Sequence, residues 1–262
     1  MNKLIKLLIL ALILLSPTAD ATTLKNKVKT KTKTETSIQS RRILASDNTK
    51  SPIWKISKNN KTAYILGSVH VLRKEDYPLN KKFDEIYSLS QTLVFEADLN
   101  GDEQPFSAPL FLQLGIYQNG EQINSELSKE SYEQLLKVLK EINLPENVCN
   151  SMKPWFCSLY LSIFEYKKLG FDENLGIEKY FLEKLKKDKK KVLSLETVDF
   201  QVKLLANTNK DVQEQILVSG FKDLLNLKEF SFDIVHSWKT GDKERLDRLL
   251  NESLKSYPQL LD

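Results

Sequence analysis

An α/β fold, with a small mixed sheet surrounded by many helices, is what three features of this 262-residue chain predict. Residues 53–57 and 62–66 alternate in polarity as half-buried strands do. Residues 92–95 and 192–195 are short apolar runs of the kind found in buried strands. Most of the remaining chain repeats its apolar residues every three or four positions, as amphipathic helices do. Strands separated by helical pairs belong to layered α/β architectures. About four strands stand against seven or more helices, so the sheet is expected to be incomplete.

The first element is a leader. Lys3 and Lys6 form a positive start, Leu7 to Leu15 are nine unbroken apolar residues, Ser16-Pro17 breaks the run, and Ala19-Asp20-Ala21 has the small-x-small pattern of a signal peptidase site. A membrane-spanning helix needs about 20 apolar residues, so this run is half a span. Residues 1–21 therefore read as a signal peptide, against the alternatives of an uncleaved anchor or a buried helix. The expected location is periplasmic or secreted. Residues 22–51 alternate lysine with polar residues and read as a flexible basic linker, since so little apolar surface cannot repay ordering; a tether to anionic lipid or glycan is the sharper alternative. Residues 52–262 have the length of one large domain.

Within that domain, 53–57 and 62–66 flank Asn59-Asn60, two residues that tolerate positive φ, and read as a hairpin. Residues 83–89 have helical spacing. Tyr132, Leu135, Leu136, Leu139 and Ile142 make an apolar stripe with Ser128 as its cap. Pro154 suits a first helical turn, Gly170 the end of the same helix, and Ile177, Tyr180, Phe181 and Leu185 the next stripe. After the basic loop 186–191 and the strand at 192–195 come helices around 199–206, 210–227, 229–239 and 242–255.

Charge and cysteine content bound the function. Ten of the 39 basic residues and three of the 35 acidic ones precede residue 52, which leaves 29 against 32 and a net charge of −3 in the domain. That excludes a nucleic-acid role on electrostatic grounds. Cys149 and Cys157 are the only cysteines. On one continuous helix they would lie ~12 Å apart, beyond bridging reach. A disulfide forms only if Cys149 sits in a loop before Pro154 that folds back.

Three predicted strands end in ionisable groups. His70 follows the second in Gly67-Ser68-Val69-His70, Glu96 and Asp98 follow the run at 92–95, and Glu196 ends the run at 192–195. Ligands in open α/β sheets sit beyond the carboxyl ends of strands. An imidazole with two or three carboxylates can hold a divalent metal or pair a base with an acid. The bland alternative makes each a cap or ion-pair partner. His236, inside an amphipathic helical stretch, reads as a core-edge histidine. HExxH, CxxC, a phosphate loop and a Gly-x-Ser-x-Gly elbow are all absent from the sequence.

Several segments together resemble the TraB/GumN family, which is related to the TIKI metalloproteases. They are Trp54-Lys55-Ile56, Tyr64 through His70, Tyr77-Pro78-Leu79, Leu93 through Asp98, Lys153-Pro154-Trp155, Gly176-Ile177-Glu178, Leu193 through Gln201, and Trp238 through Asp242. The resemblance implies that His70 is the first of two Gly-x-x-His histidines and that Glu96 and Glu196 are acidic site residues. His70 and Glu96 would be metal ligands, Glu96 and Glu196 catalytic, and Gly67, Glu178 and Gln201 further motif positions. It implies a divalent-metal-dependent hydrolase, peptidase-like, using Mn, Zn or Co on an unknown peptide or small-molecule substrate. Members of the family usually carry Asp at the position of Glu178, so the carboxylate reaches about 1.5 Å further here. They also continue into a second Gly-x-x-His and further strands, which this sequence lacks. The alternative is accordingly a non-catalytic remnant or binding module. A partner chain covering the open sheet edge is expected, and no membrane span once the leader is removed.

Overall fold

The computed structural model describes residues 11–15, 51–98 and 109–255. The linker and the Ala19-Asp20-Ala21 cleavage pattern lie outside them. Strands β2 (Ile53–Lys58) and β3 (Lys61–Gly67) form the expected hairpin, with Asn59 and Asn60 at φ of 49° and 60°. This is the turn whose twist matches the flanking strands. Helix α1 (Lys82–Leu89) crosses to β4 (Thr92–Ala97). Much later β5 (Lys191–Glu196) pairs in parallel with β4.

A fifth strand comes from the apolar run at residues 7–15, which the sequence reads as part of a leader. Residues Ala11–Leu15 form β1, which runs antiparallel to β3 on one side and β4 on the other. The sheet order is β2-β3-β1-β4-β5. Without β1 the strands fall into two pairs, β2–β3 and β4–β5. An apolar run with no polar alternation suits a strand covered on both faces as well as it suits a leader. Periodicity alone could not separate the two.

The helical part follows from its caps and stripes. Helices α2 (Pro109–Gly115) and α3 (Ile123–Glu126) precede α4 (Lys129–Glu141), whose Ser128 Oγ accepts from the Ser131 N–H. Pro154 opens α5 (Pro154–Lys168), where its missing N–H costs nothing. Gly170, at φ 82°, ends it, and the Phe171 N–H turns back to the Tyr166 carbonyl. Cys149 sits in the loop before α5, and that fold-back brings it within a Cα distance of 5.6 Å of Cys157, to which it is disulfide-bonded. Then come α6 (Ile177–Leu185), α7 (Val198–Ala206), α8 (Lys210–Leu225), α9 (Leu227–Thr240) and α10 (Lys243–Lys255).

The main core packs Leu66, Leu72, Phe83, Leu93, Phe95, Ile177, Phe181 and Trp238 between sheet and helices. A second cluster around Trp155, Phe156, Val202 and Ile216 joins α5, α7 and α8. At the outer edge β5 has no neighbour among the described residues. Beside it Leu195, Phe200 and Leu204 stay 49%, 55% and 52% exposed. His236 is exposed on α9 rather than at the edge of the core, because Ile234, Val235, Ser237 and Trp238 take the inward positions of that helix. Among the described residues no helix is long and apolar enough to cross a membrane.

Candidate active site

Strands β3, β4 and β5 all point the same way, since β1 is antiparallel to β3 and β4 while β5 is parallel to β4. Their carboxyl ends therefore share one edge, where ligands gather in such sheets. Beyond β3 come Ser68 and His70, near the end of β4 is Glu96, and at the end of β5 is Glu196.

The β3 side of this edge is pinned from two directions. Trp238 of α9 stacks on Phe83 and donates its indole N–H to the Gly67 carbonyl at 2.7 Å. The start of α6 docks on the next residues: the Ile177 N–H reaches the Val69 carbonyl at 3.0 Å. Gly176 passes so close to His70 that a Cβ there would lie 2.1 Å from the His70 carbonyl oxygen. This contact of backbone on backbone delivers Glu178, in the first turn of α6, to the imidazole. Glu178 Oε2 lies 3.0 Å from His70 Nδ1, with the two side chains 15% and 25% exposed. Its other oxygen accepts from the buried Ser68 hydroxyl. Burial works to raise the Glu178 carboxyl, but the imidazole and the hydroxyl overcome it and hold the group below the usual carboxylate range.

The β4–β5 side is a carboxyl pair joined by an amide. Gln201, one turn into α7, donates from Nε2 to Glu96 Oε1 at 2.7 Å and to Glu196 Oε1 at 2.8 Å. Thr197 caps α7 by accepting from the Phe200 N–H, which turns Gln201 back over the strand ends. Glu96 is raised to about 7, chiefly by burial. The His70 charge opposes the shift, Glu196 and Glu178 add to it, and the Gln201 hydrogen bond offsets part of it. A carboxyl with that value is half ionised near neutral pH, where a group that gives and takes protons works best.

The structure thus brings His70, Glu96, Glu178, Glu196 and Gln201 to one edge. It leaves Asp98 exposed, with its N–H on the Glu196 carbonyl, and His236 on the surface of α9. Sequence reasoning gave no role to Ser68 or Gly176. Ser68 had a signal, because it stands two residues from His70 and so on the same side of an extended segment. Gly176 was marked only by its place in the Gly176-Ile177-Glu178 motif, since its need for a missing side chain arises from a loop over a hundred residues away. For the implied divalent ion, the side chains as placed do not fit. Among the described residues no three His, Cys, Asp or Glu side chains form a ligand group. The Gln201 nitrogen, a donor, stands between the two carboxylates where a shared cation would sit.

Fold and site together define a mixed α/β protein with an imidazole–carboxylate cluster at the carboxyl edge of its sheet. The family model described as the TraB/PrgY/gumN family matches residues 52–262, and the chain belongs to that family. It is 22% identical over 147 residues to the uncharacterized protein YbaP of Shigella flexneri, which covers 56% of this chain and 52% of the relative. The YbaP of Escherichia coli strain K12 matches to the same extent. The chain spans about half the length of these curated relatives. No solved structure matches it.

Proposed function

We propose that this chain is an exported hydrolase of the TraB/GumN type that cleaves peptide-like bonds, with Glu96 as its proton-transfer group. The observation that carries the reading is the Glu96 carboxyl. It titrates near neutrality, faces Glu196 across Gln201, and lies within the field of the His70–Glu178 pair. Ionised Glu96 takes a proton from a water, whose oxygen attacks the scissile carbonyl carbon. The proton then passes to the leaving nitrogen as the carbon–nitrogen bond breaks. His70 is a positioning group, because Glu178 holds its Nδ1 and sets the ring plane. The leader pattern and the disulfide support export, since disulfides persist in oxidising compartments. Recovery of the protein from the periplasm with Thr22 as its first residue is the expected result; a mature form that starts at Met1 contradicts export.

A second reading, a binding module without catalysis, is favoured by Gln201, which already occupies both carboxylates. Peptide-library hydrolysis by the purified protein separates the two. Cleavage that Glu96→Gln lowers by about 100-fold or more, within the usual range for a general acid–base group, supports the hydrolase. Equal turnover by both forms removes Glu96 from the chemistry, and no turnover by either supports the binding module. Divalent Mn, Zn or Co is expected to bind weakly at best, because Gln201 already occupies oxygens of both Glu96 and Glu196. Calorimetric titration, with His70→Ala as control, checks this.

A further inference from the structure

Strand β1 is drawn from the apolar run of the leader, yet it fills the middle of the sheet. It pairs through Ala11 to Leu15 with Gly67 to Ala63 of β3, and through Ile13 to Leu15 with Val94 to Thr92 of β4. Neighbouring strands lie about 4.8 Å apart, so β3 and β4 stand roughly 10 Å from one another with one strand between them. Two anchors of α1 set this spacing. At its start Phe83 stacks on Trp238, which holds the end of β3. At its other end the Tyr87 and Ser90 carbonyls accept from Lys190, the residue before β5, at 2.7 and 2.5 Å. Closing the gap would break one anchor or the other.

We propose that, once leader removal takes β1 away, the slot between β3 and β4 receives an extended, uncharged apolar segment of a separate polypeptide, running antiparallel to both strands. The proposal rests on the export reading for the loss of β1 and is independent of the hydrolase reading. The chemistry of the occupant is read from the one seated there, five consecutive apolar residues without proline or charge. Both walls are apolar, with Leu66, Leu93 and Val94 buried along them. The described strands of a second processed copy are not the donor, because β2 to β5 each already have a neighbour in their own sheet. The incoming strand also bears on the site. The register places its first residue level with Gly67, at the edge that carries the site, so it sets the separation of β3 from β4 there.

The test uses two samples. One is the processed protein purified from the periplasm; the other is the full-length chain carrying Ile13→Pro, in which β1 loses a ladder donor and cannot pair. The second keeps the slot testable even where the leader stays attached. The probe is a synthetic peptide with the sequence of residues 10–15 between flanking lysines, and the control is the same peptide with proline in the place of Ile13. Saturable binding of the probe is expected to slow amide exchange in β3 and β4 by about tenfold or more, as for segments moved from an open to a closed state. The control peptide should do nothing. Exchange that is already slow and indifferent to the probe would show that the slot closes on itself. A dimer that the probe does not dissolve would show that a second copy fills it. Either result overturns the proposal.

Discussion

The two sides of the site treat their carboxylates in opposite ways. On the β3 side Glu178 is held by an imidazole and a buried hydroxyl and stays ionised below its usual range. Across the edge Glu96 accepts from the Gln201 amide and feels the His70 charge, yet burial, with two further carboxylates nearby, raises it to about 7. Both groups are removed from water, which raises each of them; the sign of the net shift is set by whether the partners outweigh that burial. At Glu178 the imidazole and the hydroxyl overcome burial, whereas at Glu96 burial, with like charge from Glu196 and Glu178 added, outweighs the His70 charge and the Gln201 amide. A single edge of sheet therefore carries one carboxylate built to stay charged and one built to exchange a proton.

The largest expected effect comes from breaking the β3 side. Gly176→Ala would put a Cβ against the His70 carbonyl, and the start of α6 must move. Urea unfolding should show a loss of about 3 kcal/mol, the upper range for overpacking. Any shift of Glu178 away from His70 should also abolish the acid sensitivity that this pair contributes. A depressed carboxyl stabilises the fold above its ordinary range, and that stability is lost as pH falls.

Cys157→Ser is a control that touches neither side. Opening the loop between Cys149 and Cys157 should cost about 2.5 kcal/mol in the chain-entropy account of so short a loop. The pH dependence of stability should keep its shape. A change in that shape would mean that the disulfide loop and the sheet edge are coupled.

The smallest effect sharpens the comparison most. Because Glu96 titrates near 7 in the folded chain against about 4.5 ordinarily, the folded state keeps a proton that the unfolded chain releases. Stability should therefore fall as pH rises from about 4.5 to about 7 and level off above, opposite in slope to the contribution of Glu178. Glu96→Gln should remove this decline. With solvent screening of a partly exposed group the difference should be about 1 kcal/mol. Chemical denaturation of both forms at several pH values measures it, and parallel curves would mean that the Glu96 carboxyl is not raised.

Much of the frame was legible from local chemistry. Asn59-Asn60 announced the hairpin, Ser128, Pro154 and Gly170 marked helix ends, and Gly67, His70, Glu96, Glu196 and Gln201 stood out within motifs that belong to the TraB/PrgY/gumN family. Each of these signals acts over a few residues, through allowed φ, a capping oxygen or the side-chain period of a strand, and so survives in a linear reading. The convergence of His70 with Glu178 does not. It depends on Gly176 meeting the His70 carbonyl across more than a hundred residues, and on Trp238 holding Gly67 from the far end of the domain. The apolar run at residues 7–15 teaches the same limit from the other direction. Its composition determined that it would leave water, while only the sheet, with β3 and β4 spaced one strand too far apart to pair, decided that residues 11–15 would do so as a strand.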